Sequence, residues 1–358
     1  MSENPYQRLA DRLDALPNGF PSSATGIELR MLEALYTPEQ ADLASKLRLT
    51  KETPQELAER IGGEPRELRL RLKEMTRRGL ITAGRTPNGL GYGLLPFVVG
   101  VWEMQANVLT PELAELFETY FHEAFGPALA MDPPVHRVIP VGEAVDYSME
   151  ISPTETIMGI IDRSQSFGVM DCICRKELEL LGKPCGHPLD VCMTLSPVPG
   201  AYDQSKNVKA LTRKEAIATL KRAADAGLVH TVTNNLEGVT YICNCCSCGC
   251  GILRGMSELG VANVVARSRF VNRVDGDLCI ACGLCADVCP FGALEIADVC
   301  QVDTQRCAGC GVCLPVCPQE ALSLIDRPEC EWTPPPETMD DWMRLRAERR
   351  GIDMSKVL

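Results

Sequence analysis

Two runs of cysteine carry the clearest chemistry in this chain. Cys279, Cys282, Cys285 and Cys289-Pro290 form a Cys-x2-Cys-x2-Cys-x3-Cys-Pro pattern, and Cys307, Cys310, Cys313 and Cys317-Pro318 repeat it 28 residues on. Three thiolates two residues apart on a tight loop can wrap one corner of a cubane, while the fourth, on a short helical turn, points toward a second centre. The spacing therefore predicts two [4Fe–4S] clusters with interleaved ligands. One takes Cys279, Cys282, Cys285 and Cys317, the other Cys307, Cys310, Cys313 and Cys289. Ala281, Gly283, Gly309 and Gly311 are the small residues expected where backbone approaches sulfide closely. Pro290 and Pro318 lack an amide hydrogen and set where each half folds back. Zinc knuckles show Cys-x2-Cys pairs separated by a longer gap, which does not describe triplets followed by Cys-Pro.

On these eight cysteines, residues 275–326 resemble a bacterial-type two-cluster ferredoxin, without departure in ligand spacing. The resemblance implies a domain that shuttles single electrons, usually at low potential, with those eight cysteines as its ligands.

Of the 19 cysteines, a further nine lie in two groups: Cys172, Cys174, Cys185 and Cys192, then Cys243, Cys245, Cys246, Cys248 and Cys250. So many thiols so close together are an oxidation hazard without a metal, and their mutual repulsion as thiolates calls for a bound cation. The expectation is an extra metal site, either a third iron–sulfur cluster or zinc. Its simplest ligand set is Cys172, Cys174, Cys185 and Cys192, and a second version mixes these with the later five. His187, in the Pro184-Cys185-Gly186-His187-Pro188 turn, reads either as a ligand or as a solvent-facing residue. The tract Cys243–Cys250 also resembles the adjacent-cysteine motifs of heterodisulfide reductase-type subunits, which hold non-cubane clusters, although its spacing departs from theirs. Cys300 and Cys330 read as non-ligands, and His122, His136 and His230 have no visible constellation around them.

The elements that must position these residues read as a multidomain α+β chain. Residues 1–131 form a helical region whose segment from about 26 to 95 resembles a winged helix-turn-helix. Thr37-Pro38 and Thr53-Pro54 are helix starts with capping-box partners Gln40 and Glu56, and Pro65–Arg78 continues with Leu68, Leu72 and Met75 on one face. Thr86-Pro87-Asn88-Gly89 marks a hairpin between Leu80–Ala83 and Leu90–Leu94. Helices are expected at Phe97–Gln105 and Pro111–Leu129, the second bearing an aromatic stripe of Phe117, Tyr120, Phe121 and Phe125 that reads as packing.

Residues 132–262 form a cysteine-rich α+β domain. Its expected strands are His136–Val141 and Val145–Met149, its helices run from Ser152 to before Phe167 and over Arg213–Ala226, and a hairpin joins Leu228–Thr233 to Val239–Cys243. Residues 263–327 are the dicluster ferredoxin-like domain. Residues 328–358 are a Pro-rich linker and a terminal helix whose Trp342 and Met343 should dock on this chain, a twin or a partner.

The net charge of −12 weighs against general nucleic-acid affinity, although Arg66, Arg69, Arg71, Lys73, Arg77 and Arg78 make one helix locally basic. No apolar run in Met1–Asp14 resembles a signal peptide, and Leu90–Trp102 is too short to span a bilayer, so no membrane insertion is expected. The expected setting is the cytoplasm of a cell that keeps thiols reduced. No Gly-x-Gly-x-x-Gly after a strand, Walker loop or Gly-x-Ser-x-Gly elbow is present.

Taken whole, the chain is similar to the large multi-cluster ferredoxin-like proteins of anaerobes. That similarity implies an iron–sulfur electron-transfer protein or oxidoreductase subunit, more than a stand-alone enzyme, with a partner redox protein and a homodimer among its associations. Two rivals stand beside it: a redox-sensing DNA-binding regulator, and a reductase acting at the cysteine-rich centre.

Overall fold

The computed structural model describes residues 4–141 and 152–358, and the chain divides into two compact units. The first comprises Met1–Asp132, Lys176–Lys183 and Met343–Leu358, and the second Pro133–Arg175 and Pro184–Trp342. The architecture is mixed α and β. The strand expected at Val145–Met149 lies outside the described residues. Among the described residues no helix is long and apolar enough to cross a membrane.

In the first unit, α1 (Pro5–Asp14), α2 (Ile27–Leu35), α3 (Pro38–Ser45), α4 (Pro54–Ile61) and α5 (Pro65–Arg77) precede a hairpin of β1 (Thr82–Thr86) and β2 (Gly89–Gly93). Thr37 and Thr53 start α3 and α4 with full capping boxes: each hydroxyl accepts the N–H of Gln40 or Glu56, whose side chain accepts the threonine N–H in return. Helix α5 buries Leu68, Leu72 and Met75 and turns Arg66, Arg69, Arg71, Lys73 and Arg77 to solvent. Glu52, ahead of α4, pairs with Tyr92 of β2, tying the hairpin back to the helices.

Phe97–Gln105 is not the regular helix expected there. It is a wide turn, Phe97–Val101, with extended Val98 and Val99, followed by a short 3-10 turn at Glu103–Gln105. Two β-branched residues beside Gly100 favour extended backbone over helix. The next helix also breaks. α6 (Pro111–Tyr120) passes through a wide turn at Phe121–Phe125 into α7 (Gly126–Ala130), because Pro127 has no N–H for the ladder and its ring crowds the preceding turn. The aromatic stripe is core. Trp102 stacks on Phe117 with centroids 3.9 Å apart, and Phe20 sits between Phe97 and Tyr120.

The C-terminal helix, Met339–Arg350, packs on its own chain. Arg346 is fully buried in the first unit and donates to the carbonyls of Pro17, Met131 and Ala128 at 2.7–2.9 Å. Trp342 is buried in the second, its indole N–H donating to Pro134 O at 3.0 Å.

The second unit is built on a seven-stranded sheet. In chain order its strands and helices are β3 (His136–Ile139), α8 (Ile157–Asp162), β4 (Ser166–Met170), the start of α9 (Ile173–Leu180, which passes into the first unit at Lys176), β5 (Cys192–Ser196), β6 (Lys209–Leu211), α10 (Arg213–Asp225), β7 (Val229–Thr233), β8 (Tyr241–Cys245), α11 (Arg254–Ser257) and β9 (Val265–Ala266). The helix expected to run from Ser152 is a 3-10 turn at Pro153–Glu155 followed by α8. The strand order is β6-β4-β5-β8-β7-β3-β9, antiparallel throughout except for the parallel β3–β9 pair.

Strand alternation then decides the chemistry of each face. Ile139, Phe167, Val169, Met193, Leu195, Val232 and Ile242 join Ile157, Ile160, Ile161, Ala216 and Leu220 in one apolar core under α8 and α10. Cys192, Cys243 and Cys245 are each one residue out of step with that set. They therefore lie on the opposite face, with His136 and Thr231.

The remaining part of the second unit repeats itself at the 28-residue offset. β10 (Phe270–Val274) pairs with β13 (Leu322–Asp326), while β11 (Leu294–Ile296) pairs with β12 (Cys300–Val302), and the short helix α12 (Leu284–Asp287) lies in the first half. Each half lends a strand to a sheet that the other half does not complete alone.

Candidate metal centres

The left-handed backbone of the C-terminal repeat falls at matching places in both halves: Ala281 and Gly309, Gly283 and Gly311, Gly292 and Glu320. These positions curl the loops around their cysteines. At Gly309 the requirement is also steric, since a Cβ there would lie 2.1 Å from Phe270 O and 2.2 Å from Ser268 Oγ.

Cys279, Cys282, Cys285 and Cys317 line one cavity together with Ile280, Cys300 and Leu322. Cys289, Cys307, Cys310 and Cys313 form the other group: the thiols of Cys310, Cys289 and Cys307 all add to the charge felt by Cys313. Burial, ahead of those neighbours, pushes Cys310 up to about 12, and Cys313 is raised for the same reason. Burial thus disfavours the free thiolates of Cys310 and Cys313, and a cation among the four thiols removes that penalty. Both groups thus fit a metal cluster.

Hydrogen-bond donors converge on these sulfurs. Ala293 N–H donates to Cys289 Sγ and Ala321 N–H to Cys317 Sγ, each at 3.3 Å and at equivalent places in the repeat. Cys300 N–H reaches Cys279 Sγ at 3.4 Å, and the Asn272 side-chain amide reaches Cys313 Sγ at 3.2 Å. Cys300, on β12, is buried, and its own sulfur lies 3.6 Å from Cys285 Sγ. Arg327 pins the second group from behind, donating to Cys307 O at 2.7 Å and Phe270 O at 2.9 Å. Val141 N–H, just beyond β3, donates to Cys310 O at 2.9 Å, which joins the large sheet to the same loop.

The nine other cysteines separate into two groups that cut across their order in the sequence. Six form a closed ring of thiol contacts: Cys172 with Cys174 and Cys192, Cys174 with Cys250, Cys250 with Cys245, Cys245 with Cys243, and Cys243 with Cys192. Strand pairing builds half of the ring, since β5 and β8 lie side by side and carry Cys192, Cys243 and Cys245. Cys172 just before α9 and Cys174 in its first turn join them, and the turn after β8 adds Cys250. S–H donation from Cys174 and then Cys192 holds Cys172 well below the ordinary thiol range, and donation from Cys243 and Cys250 does the same for Cys245. The donors Cys174, Cys192 and Cys243 are raised correspondingly.

Cys185 is not in this ring, so the structure does not gather Cys172, Cys174, Cys185 and Cys192 as one set. Cys185 instead meets His187, Cys246 and Cys248, and the four donor atoms all lie within 4.8 Å of one another. Cys185 Sγ is 4.0 Å from Cys246 Sγ, and Cys248 Sγ is 3.8 Å from His187 Nδ1.

Arg175 stands between the two groups. It is only 2 % exposed and donates to Pro188 O at 2.7 Å and to Asn244 O. Burial lowers its pKa, but the thiols of Cys172, Cys246 and Cys245 together outweigh burial and hold it above its ordinary value. Its fixed positive charge is where surplus thiolate charge is offset.

Behind the ring lies a polar row that the sequence does not announce. Tyr241 OH is 2.9 Å from His136 Nε2, His136 Nδ1 is 3.4 Å from Thr231 Oγ1, and Thr231 Oγ1 is 3.5 Å from Cys245 Sγ. Burial lowers His136 to about 4, so its ring is neutral. The row is assembled across β3, β7 and β8, and only the pairing of those strands makes it visible.

Residues 273–295 match the family described as 4Fe-4S binding domain, and residues 285–327 match that described as LdpA Fe-S cluster-binding domain. No curated protein and no solved structure matches the chain. The two matches meet on the loops where eight thiols converge, and the chain therefore carries a 4Fe-4S-binding domain near its C-terminus.

Proposed function

We propose that this chain is an electron-transfer protein or subunit that holds two [4Fe–4S] clusters in its C-terminal domain and a third centre on the six-thiol ring. It would pass single electrons to or from a partner oxidoreductase. The observation that carries the reading is the grouping of Cys279, Cys282 and Cys285 with Cys317, around one cavity, while Cys289 joins Cys307, Cys310 and Cys313. An iron–sulfur cluster, when bound, supplies a one-electron couple whose potential the surrounding protein sets. The chain's own contribution is to hold the thiolates, to aim N–H donors from Ala293, Ala321, Cys300 and Asn272 at their sulfurs, and to exclude water from the second group.

The exposure of the first group supports exchange with a partner. Cys282 is exposed, and Leu278, Ile280 and Leu284 around it are 46–61 % exposed, an apolar rim suited to a protein that docks to collect an electron. Anaerobic protein reduced with dithionite and freed of excess should reoxidise stoichiometrically with a one-electron acceptor. A Cys282→Ala, Cys310→Ala variant should lose about two thirds of that capacity, the share of the two C-terminal clusters. Undiminished capacity in this variant would place the redox chemistry elsewhere and overturn the reading.

A second reading attaches to the first unit. Its helices α3 to α5 precede the β1–β2 hairpin in the element order of the winged helix that its sequence resembles, and the exposed arginines and lysine of α5 support a duplex-binding face. On that reading the iron–sulfur centres sense redox state for a regulator. Binding to random-sequence duplex that weakens steeply with salt, and is lost in Arg69→Glu, Lys73→Glu protein, would favour it. Absence of binding at low salt would remove it.

A further inference from the structure

The geometry points to a separate mononuclear zinc site formed by Cys185, His187, Cys246 and Cys248, distinct from the six-thiol ring and from the C-terminal cysteines. Nothing in the electron-transfer reading requires it, and its test does not depend on that reading.

The argument begins with spacing in space. A tetrahedral zinc ion with Zn–S bonds near 2.3 Å sets its sulfur ligands about 3.8 Å apart, with a slightly shorter edge to an imidazole nitrogen. The donor atoms here show those separations, 4.0 Å between Cys185 and Cys246 and 3.8 Å between Cys248 and His187 Nδ1, and none of the four is more than 4.8 Å from another. A cubane assigns each thiolate its own iron and needs room for inorganic sulfide between them. Four donors drawn this close surround one ion.

The surroundings agree. Gly249 brings backbone against the site: a Cβ there would lie 3.2 Å from Cys246 Sγ and 3.4 Å from Cys185 Sγ. From the other side Cys246 and Cys185 pack on Val191, Ala223 and Leu228, so apolar side chains close the floor. The short Cys-Gly-His turn carries the His187 ring beside the thiols, with Gly186 supplying the left-handed residue that the turn needs; on binding an ion, Nδ1 would exchange its 3.1 Å contact with Cys185 O for the metal. Three thiolates and a neutral imidazole around a divalent cation leave one surplus negative charge. The neighbouring guanidinium of Arg175, which interacts with Cys246, offsets it. Three sulfurs with one nitrogen and no open position is the donor set of a structural zinc.

Such an ion would act as a clip. Cys185 and His187 lie on the loop that leads into Cys192, and Cys246 and Cys248 lie between Cys245 and Cys250. Joining the two segments fixes the spacing of three members of the ring while leaving the ring's own thiols free for another centre.

Metal analysis of the anaerobically purified full chain should find about one zinc per chain. Added cobalt(II), taken up in its place, should give the visible absorption of a tetrahedral thiolate site. His187→Ala and Cys248→Ser proteins should lose the zinc with iron and acid-labile sulfide unchanged, and His187→Cys should keep it. His187 is only half-buried and Cys248 is exposed, so neither change should unfold the chain, and the unchanged iron is the internal check. Zinc absent from the wild-type protein, zinc retained in both variants, or iron lost in place of zinc would each overturn the assignment.

Discussion

Cys289→Ala, Cys310→Ala protein should lose about four irons per chain, whereas Cys289→Ala, Cys282→Ala protein should lose about eight. Both variants remove two of the same eight cysteines, and both remove Cys289. The difference comes from which thiols share a centre. Cys289 and Cys310 stand in one group, while Cys289 and Cys282 belong to different groups although they are seven residues apart in one run. Were each run to bind its own cluster, the two results would change places. Iron and acid-labile sulfide per chain, on protein purified without oxygen, decide between them.

The second large effect is expected at the ring. Wild-type protein should carry about twelve irons, and Cys172→Ala, Cys245→Ala protein about eight. Two thiols from different sides of the ring are removed because six thiols exceed the four that a cubane uses, and a single loss could be made good by a neighbour. The C-terminal groups lie on other loops and should retain their iron, so the remaining eight also report that the chain has folded. A wild-type count near eight that the variant leaves unchanged would sink the third centre.

The parts of this architecture legible in the sequence are those made by neighbours along the chain. Thr37 and Thr53 announce their helices because a capping box is complete within four residues. The C-terminal cysteines announce a cluster fold because loop, turn and proline recur at one offset. What stayed hidden is made by distant pairings. Cys185 and Cys192 are close in sequence, yet a loop carries the first to Cys246 while β5 alternation carries the second to Cys243. Nothing in the local pattern says which five-cysteine neighbour each will meet. The polar row of Tyr241, His136 and Thr231 was hidden for the same reason. Lys176–Lys183 joins the first unit although its neighbours on both sides belong to the second, a division that depends on contacts far along the chain. Phe97–Gln105 misleads differently: Val98, Val99 and Gly100 disfavour the helix expected there.

The C-terminal repeat is regular in backbone but not in burial. Cys307, Cys310 and Cys313 are all buried, whereas Cys282 is exposed and Cys279 and Cys317 are partly so. A duplicated ligand pattern has thus been set at two depths. Small oxidants and chelators reach the shallow group first, so on the proposed reading the damage that air does to the C-terminal domain should proceed in order, from the outer group inward, with iron at Cys310 outlasting iron at Cys282.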